Sequence, residues 1–326
     1  MNLLAFSAGV DSCALFFMLK EQNIEFDIAI VDYGLRASSK DEVAYAKELA
    51  LKYNKKIYIK EVSLHSSNFE ANARDARYEF FEEIIRSYGY KRLYIAHQLN
   101  DQLEWFLMQL SKGAGLKELL GFADIVQKDG YEIVRPLLGY SKSELEKYLK
   151  TNNIKYFVDE SNFDNKYRRN YFRKNFANAL IDEFASGIKN SFRYLKEDLK
   201  SLYNEDKIKE FRIDDFVLFR YEGDENFAIR IIDSELKKRE ILLSSLQKKE
   251  ILKQKSIIIK NLFCVVLEES LIWIAPRSDI IMDKRYKELC RIHKIPKIIR
   301  AYFKQQGVDS ETISKISNHT IFGDKS

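Results

Sequence analysis

The stretch "LLAFSAGVDSCALFFMLK" (residues 3–20) decides how this chain is read. Leu3–Phe6 is a short apolar run that stops at Ser7. Small and polar residues follow to Ser12, and from there apolar side chains recur at helical spacing. Ser7, Ala8, Gly9, Val10, Asp11 and Ser12 therefore lie between a strand and a helix. Backbone N–H groups in such a turn, followed by a helix N-terminus, form an anion-binding concavity. Gly9 allows a left-handed or tight conformation, and Ser7 and Ser12 supply hydroxyls. Asp11 is out of place in a pure phosphate cradle, because its charge repels phosphate. Two readings are open for it: a Mg²⁺ ion bridges the charges, or Asp11 caps the helix. The pattern GxxxxGK[ST] is absent, and so is GxGxxG after the first strand.

Working outward, strand-like runs at Leu3–Phe6, Phe26–Asp32, Ile57–Val62, Leu93–His97 and Tyr131–Pro136 alternate with helical patterns. These are Ser12–Glu21, Lys40–Tyr53, Phe69–Tyr88 and Asn100–Lys112. The alternation predicts a parallel sheet covered by helices on both faces. Such sheets bind ligands outside the carboxyl ends of their strands. Ser7–Ser12, Asp32–Arg36 and His97–Asp101 are thus the segments where chemistry is expected. After about residue 180 the pattern changes. A charged helical stretch, "NSFRYLKEDLKSLY" (190–203), leads to short strands and helices. In "KSIIIKNLFCVVLEESLIWIAP" (255–276), polar breaks at Lys260–Asn261 and Glu268–Ser270 predict a three-stranded meander. The expected division is a catalytic α/β domain over 1–185 and a smaller α+β domain over 186–326, joined by a helical linker.

Composition narrows the class. Hydrophobic residues make up 46% of 326, while Pro (3) and Gly (12) are scarce. This is a globular chain with a real core, not a disordered one. No apolar run reaches the ~18 residues of a membrane span, and no signal-peptide pattern opens the chain. Three widely spaced cysteines, Cys13, Cys264 and Cys290, without a CxxC argue against a disulfide framework, a zinc ribbon or an iron–sulfur site. They fit a reducing cytoplasm. The net charge of +5 hints at an anionic partner.

The opening loop resembles the SGGxDS pyrophosphate loop of the N-type ATP pyrophosphatases, with Ala8 in place of the second glycine. Five further stretches, with that loop, resemble the bacterial tRNA(Ile)-lysidine synthases in the right order. They are "VDYGLRASSKDE" (31–42), "NFEANARDARYEFF" (68–81), "IAHQLNDQLEWFLMQLSKGAGLKELLGF" (95–122), "VRPLLGYSKSELEKYL" (134–149) and "FVDESNFDNKYRRNYFRKNF" (157–176). The resemblance covers residues 1 to about 178, and "ELCRIHKIPKIIRAYF" (288–303) adds a faint C-terminal match. Departures are Tyr33 for His, Gln98 for the second His of AHH, Asn100 for an acid, Trp105 for Thr, and Lys112 for Arg. The last keeps charge but loses the bidentate fork.

The resemblance implies a Rossmann-like N-type ATP pyrophosphatase domain and a tRNA-recognition domain. It implies that ATP, with Mg²⁺ at Asp11, adenylates the 2-carbonyl oxygen of the wobble cytidine in a tRNA(Ile) with a CAU anticodon. The ε-amine of free L-lysine then displaces AMP. Asp11, His97, Asp101 and Lys112 are the implied catalytic residues, and residues 7–12 bind ATP. His97, Asp101 and Glu104 share one helix face by their spacing, so Asp101 and Glu104 are the expected lysine receptor. One of these acids or His97 takes the amine's proton. Phe106, Leu107 and Leu110 are expected to turn to the core. Arg74 and Arg77 either face phosphate or RNA, or pair with Asp75 and Glu70. Arg168, Arg169 and Arg173, with Lys166 and Lys174, are expected to meet tRNA phosphates. Among them, Tyr167, Tyr171 and Phe172 either stack on bases or enter the core, the second being favoured by ring burial. Neither a membrane nor a protein partner is implied. Two rivals remain open at this level: a tRNA-thiolating relative, against which the missing CxxC counts, and a non-catalytic tRNA binder with a vestigial loop.

Overall fold

The computed structural model describes residues 1–34, 38–62, 69–158, 168–202, 205–318 and 320–322. Lys166 and Tyr167 lie outside them. The chain divides into two compact units, Met1–Leu199 and Lys200–Ser326. The expected border at 185/186 falls within the helical stretch Asn178–Leu202, just past a kink at Phe184 where the backbone leaves helical geometry (φ −124°, ψ 22°).

In the first unit, β1 (Asn2–Phe6), α1 (Val10–Glu21), β2 (Phe26–Asp32), α2 (Ser38–Lys52), β3 (Ile57–Glu61), α3 (Phe69–Tyr88), β4 (Arg92–Tyr94) and α4 (Leu99–Leu110) follow one another. Then come α5 (Leu116–Leu119), β5 (Ile125–Lys128), β6 (Tyr131–Val134), α6 (Lys142–Thr151), α7 (Arg168–Phe172) and α8 (Asn178–Leu202). The described strands order as β3-β2-β1-β4-β6-β5. All neighbours are parallel except the β5–β6 edge hairpin. Strand β5 has no counterpart in the sequence reading.

The two-residue period of β1 builds two cores. Leu4 and Phe6 pack with Ile28 and Ile30 against α1, α2 and α6, where Phe16, Leu15, Leu49 and Leu145 are buried. Leu3 and Ala29 face the other way, onto Phe80, Phe81, Ile84 and Ile85 of α3. The strand order reverses direction between β1 and β4, since β2 and β3 lie to one side and β4 and β6 to the other. That reversal opens a crevice at the strands' carboxyl ends. The residues that follow β1, β4 and β6 are Ser7, His97 and Arg135 with their neighbours.

In the second unit an antiparallel sheet orders as β7-β8-β11-β10-β9. Its strands are β7 (Ile208–Ile213), β8 (Phe216–Tyr221), β9 (Ser256–Ile259), β10 (Phe263–Leu267) and β11 (Leu271–Pro276). The meander β9-β10-β11 turns at the two polar breaks, with Lys260 and Asn261 in the left-handed region. One face packs on α9 (Glu225–Lys238) and α10 (Ser245–Gln254). The other packs on α11 (Lys284–Ile292), α12 (Arg300–Gln305) and α13 (Ser310–Ser317).

Candidate active site

The loop after β1 is shaped by its backbone. Ala8, not Gly9, is the left-handed residue (φ 57°), and it is wholly buried. Gly9 is extended (φ −78°, ψ 173°) and stands at the N-cap of α1 with no side chain capping the helix. The edge of the loop is pinned by Phe157 N–H, which donates to Ala8 C=O at 2.9 Å. The Ser12 hydroxyl donates to Gly9 C=O and accepts from Ser7 N–H, both at 3.2 Å. The first-turn N–H groups of α1 are left for a ligand, and their dipole favours an anion.

Asp11 does not cap the helix. Its Oδ1 is buried without a hydrogen-bond partner. Burial first, and the Asp101 carboxylate second, push its pKa up to about 7. A buried, orphaned carboxylate oxygen beside a phosphate cradle fits Mg²⁺, which takes one or two carboxylates and completes its shell with substrate phosphates and water. Among the described residues no group of three metal-ligating side chains is found.

Helix α4 starts at the switch point because Gln98 closes a capping box. Gln98 Oε1 accepts from Asn100 N–H (2.6 Å), and Asp101 Oδ2 accepts from Gln98 N–H (3.1 Å). The residue that departs from the AHH motif is thus the helix cap. Asn100 is buried too: its Nδ2 donates to Asn178 Oδ1 (2.9 Å), and its Oδ1 accepts from Lys142 N–H (3.1 Å). Asp101 and Glu104 meet two guanidiniums. Arg169 Nη2 and Arg173 Nη2 each donate to Asp101 Oδ1 at 3.0 Å. Arg173 Nε donates to Glu104 Oε2 at 2.8 Å, and Arg169 Nε donates to Glu104 Oε1. Burial pushes the Asp101 pKa up, but Arg169 and Arg173 outweigh it and hold the group below the ordinary value. For Glu104 burial wins over the same arginines, and its pKa is raised. The expected lysine receptor and two of the expected tRNA contacts therefore form one ion cluster. A π-helical turn, Arg173–Ala177, lies between α7 and α8, so Arg169 belongs to α7 and Arg173 opens the turn.

His97 has its own surroundings. Arg135 Nε donates to His97 Nδ1 at 3.1 Å, and the Phe122 ring lies 4.8 Å from the imidazole. Trp105 packs on Phe122 and donates Nε1–H to Glu118 C=O at 2.8 Å. Burial lowers the His97 pKa to about 4; Asp101 opposes the shift, and Arg135, Arg169 and Arg74 add to it. Arg74 and Arg77 are exposed. The Arg74 guanidinium stacks 5.7 Å from the Tyr78 ring, while Arg77 neighbours Tyr33, whose hydroxyl donates to Ala73 C=O. The Glu70 side chain lies outside the description.

Other expected residues are elsewhere. Lys112 is exposed in the turn just past the C-terminal end of α4, while Asp101 lies in its first turn. Arg168 reaches that same end, Nη2 to Ser111 Oγ at 3.3 Å. Leu110 is 53% exposed, contrary to expectation, while Phe106 and Leu107 do pack inward. Tyr171 is 48% exposed and Phe172 half-buried, so the core reading of these rings fails for Tyr171. Sequence reasoning missed Arg135, Phe122 and Lys142, whose charge lowers the Asp11 pKa. The only sequence signal for Arg135 and Lys142 was their place inside the fourth motif.

The PP-loop domain family model matches residues 1–180. A Campylobacter jejuni tRNA(Ile)-lysidine synthase is 45% identical over 313 residues, 96% of this chain and 95% of that one. The enzyme of the same name from Wolinella succinogenes is 43% identical over 95% of this chain and 94% of its own. Among solved structures, the U34-tRNA thiolase NcsA from Methanococcus maripaludis, with its [4Fe-4S] cluster, superposes with a TM-score of 0.51. That match has 17% identity over 61% of this chain and 71% of that one, a likeness of fold alone.

Proposed function

The chain belongs to the tRNA(Ile)-lysidine synthase family, and on that premise we propose that it joins free L-lysine to the 2-carbon of the wobble cytidine in a tRNA(Ile) with a CAU anticodon. In the first step the cytosine 2-oxygen attacks the α-phosphorus of ATP, and the bond to pyrophosphate breaks. In the second the lysine ε-nitrogen bonds to C2, the C2–O bond breaks, and AMP leaves. The observation that carries this reading is the convergence of an uncapped, small-residue anion cradle with a buried acid pair at one end of the sheet.

The chain's own groups have distinct tasks. The N–H groups of the first turn of α1 bind and orient the phosphates, stabilising charge that develops as pyrophosphate leaves. Asp11, through its unpartnered oxygen, would hold the ion. Bound Mg²⁺ would neutralise phosphate charge and polarise the phosphorus. Asp101 stays ionised and receives the ammonium, sharing its lone pairs between lysine and the guanidiniums. Glu104, with its raised pKa, is the better acceptor for the proton that the amine must lose. Arg74 and Arg77, exposed at the rim, meet tRNA phosphate.

The test is an assay with ATP, radiolabelled lysine and tRNA(Ile) bearing CAU, run beside a methionine tRNA with the same anticodon. Label in the first tRNA alone, with AMP and pyrophosphate formed, is the expected result. An unlabelled tRNA under conditions where a relative works would overturn the reading. The thiolating alternative fits the cysteines poorly. Cys13 is buried in the first unit with its thiol pushed up to about 12, and Cys264 and Cys290 are buried in the second.

A further inference from the structure

His97 follows strand β4 and Arg135 follows strand β6, its parallel neighbour, so the two side chains leave adjacent strand ends. Their contact is directional. A guanidinium carries only N–H donors and has no acceptor. Arg135 Nε, 3.1 Å from His97 Nδ1, is therefore the donor, and Nδ1 must offer its lone pair. The ring proton then resides on Nε2. Arg135 is itself held in place: its Nη1 donates to Ala123 C=O at 3.0 Å, its guanidinium lies 5.7 Å from the Phe122 ring, and the Tyr78 hydroxyl hydrogen-bonds it. Phe122 packs on the imidazole from the same side chain shell, backed by Trp105.

We propose that Arg135 is a positioning residue that holds His97 as the Nε2–H tautomer, so that His97 serves the reaction as a hydrogen-bond donor and not as the base that takes the lysine proton. The use assigned to the donor rests on the proposed function; the tautomer does not. Accepting a proton at Nδ1 would break the Arg135 contact and set two cations side by side in a partly buried site. The lowered His97 pKa agrees with this. An Nε2–H group beside Asp101 suits an acceptor oxygen, such as the cytosine 2-oxygen or a phosphate oxygen of the adenylate. The proton of the amine is left to the acids.

Long-range proton–nitrogen NMR of ¹⁵N-labelled protein reads the tautomer directly. The chain has four histidines, and the His97 signals are those lost in His97→Gln. At neutral pH the wild type should show a pyrrole-like Nε2 and a pyridine-like Nδ1. Arg135→Leu should shift the ring toward the other tautomer or a mixture. It should also lower kcat by on the order of tenfold to a hundredfold while the KM for ATP stays within about twofold. A wild-type His97 that carries its proton on Nδ1, or is an imidazolium at pH 7, overturns the proposal. So does an Arg135→Leu variant whose His97 tautomer is unchanged. The wild-type spectrum is decisive even if that variant does not fold. The spectra need no substrate, so their failure is distinct from an unlabelled tRNA in the lysine assay.

Discussion

Arg173 bridges Asp101 and Glu104, with Nη2 3.0 Å from Asp101 Oδ1 and Nε 2.8 Å from Glu104 Oε2. One turn of α4 thus presents two carboxylates to one guanidinium, and Arg169 repeats the pattern. Removing one acid leaves each guanidinium its contact with the other acid. Removing one arginine leaves each acid a remaining partner.

Glu104→Gln should therefore raise the KM for lysine about tenfold or more while leaving the KM for ATP nearly unchanged. Because the arginines are partly exposed, the loss of stability should stay near 1–3 kcal/mol, below the range for a fully buried pair. Urea melts and lysine titrations measure the two effects. A lysine KM that does not move, with tRNA affinity weakened instead, would show that the acids serve the arginines and not the amine.

Asp11→Asn should abolish pyrophosphate release and yet stabilise the fold in alkaline, chelator-treated buffer. With a folded pKa of about 7 against an ordinary 3.8, the folded chain holds a proton that the unfolded chain has released. Stability then falls as pH rises through about 4 to 7, and the penalty is complete above that window. The variant lacks the penalty. It should gain on the order of 1–3 kcal/mol at about pH 8 and nothing below about pH 4. Thermal melts across pH check the sign.

Ala8→Gly should be tolerated. The left-handed alanine costs roughly 1–2 kcal/mol, but glycine loses about 0.5–1 kcal/mol of that gain through a freer unfolded chain. The net change should be within about 1 kcal/mol, with kcat retained. Ala8→Val places a β-branched side chain at φ 57° in a fully buried spot, and should cost about 3 kcal/mol or more. Denaturant midpoints distinguish the two.

Gly121→Ala should destabilise by about 1–3 kcal/mol. An added Cβ would fall 2.0 Å from Trp105 Nε1, with two further ring carbons within 2.7 Å. Trp105→Thr in the same chain should recover most of that loss, since it empties the space. A double-mutant cycle measures the coupling, and additive effects would contradict the packing.

Arg74→Ala and Arg77→Ala should each lower the salt dependence of tRNA binding by about one unit of slope. Filter binding at several salt concentrations reads this, and an unchanged slope would return both arginines to the protein surface.

Much of this protein could be read before its structure was seen. The apolar–polar alternation of the first half set a parallel sheet and placed Ser7–Ser12 and His97–Asp101 at strand ends, because side-chain periods of two and 3.6 are local properties. The same local logic joined His97, Asp101 and Glu104 on one helix face, and located the meander by its polar breaks. Local signals were weaker where backbone choice was involved: the turn needed one left-handed residue, and it fell on Ala8 while Gly9 stayed extended.

What only tertiary structure decided was which charges meet. Arg169 and Arg173 lie 68 and 69 residues from the acids they grip, and Arg135 lies 38 residues from His97. No periodicity spans such distances. Strand order brings β6 beside β4, and the packing of α7 and its π-helical turn across α4 delivers the two arginines. A solvated basic segment and a gripping one have the same sequence. Burial against a particular neighbour decides between them, because a carboxylate removed from water must find its partner in whatever the fold has carried there.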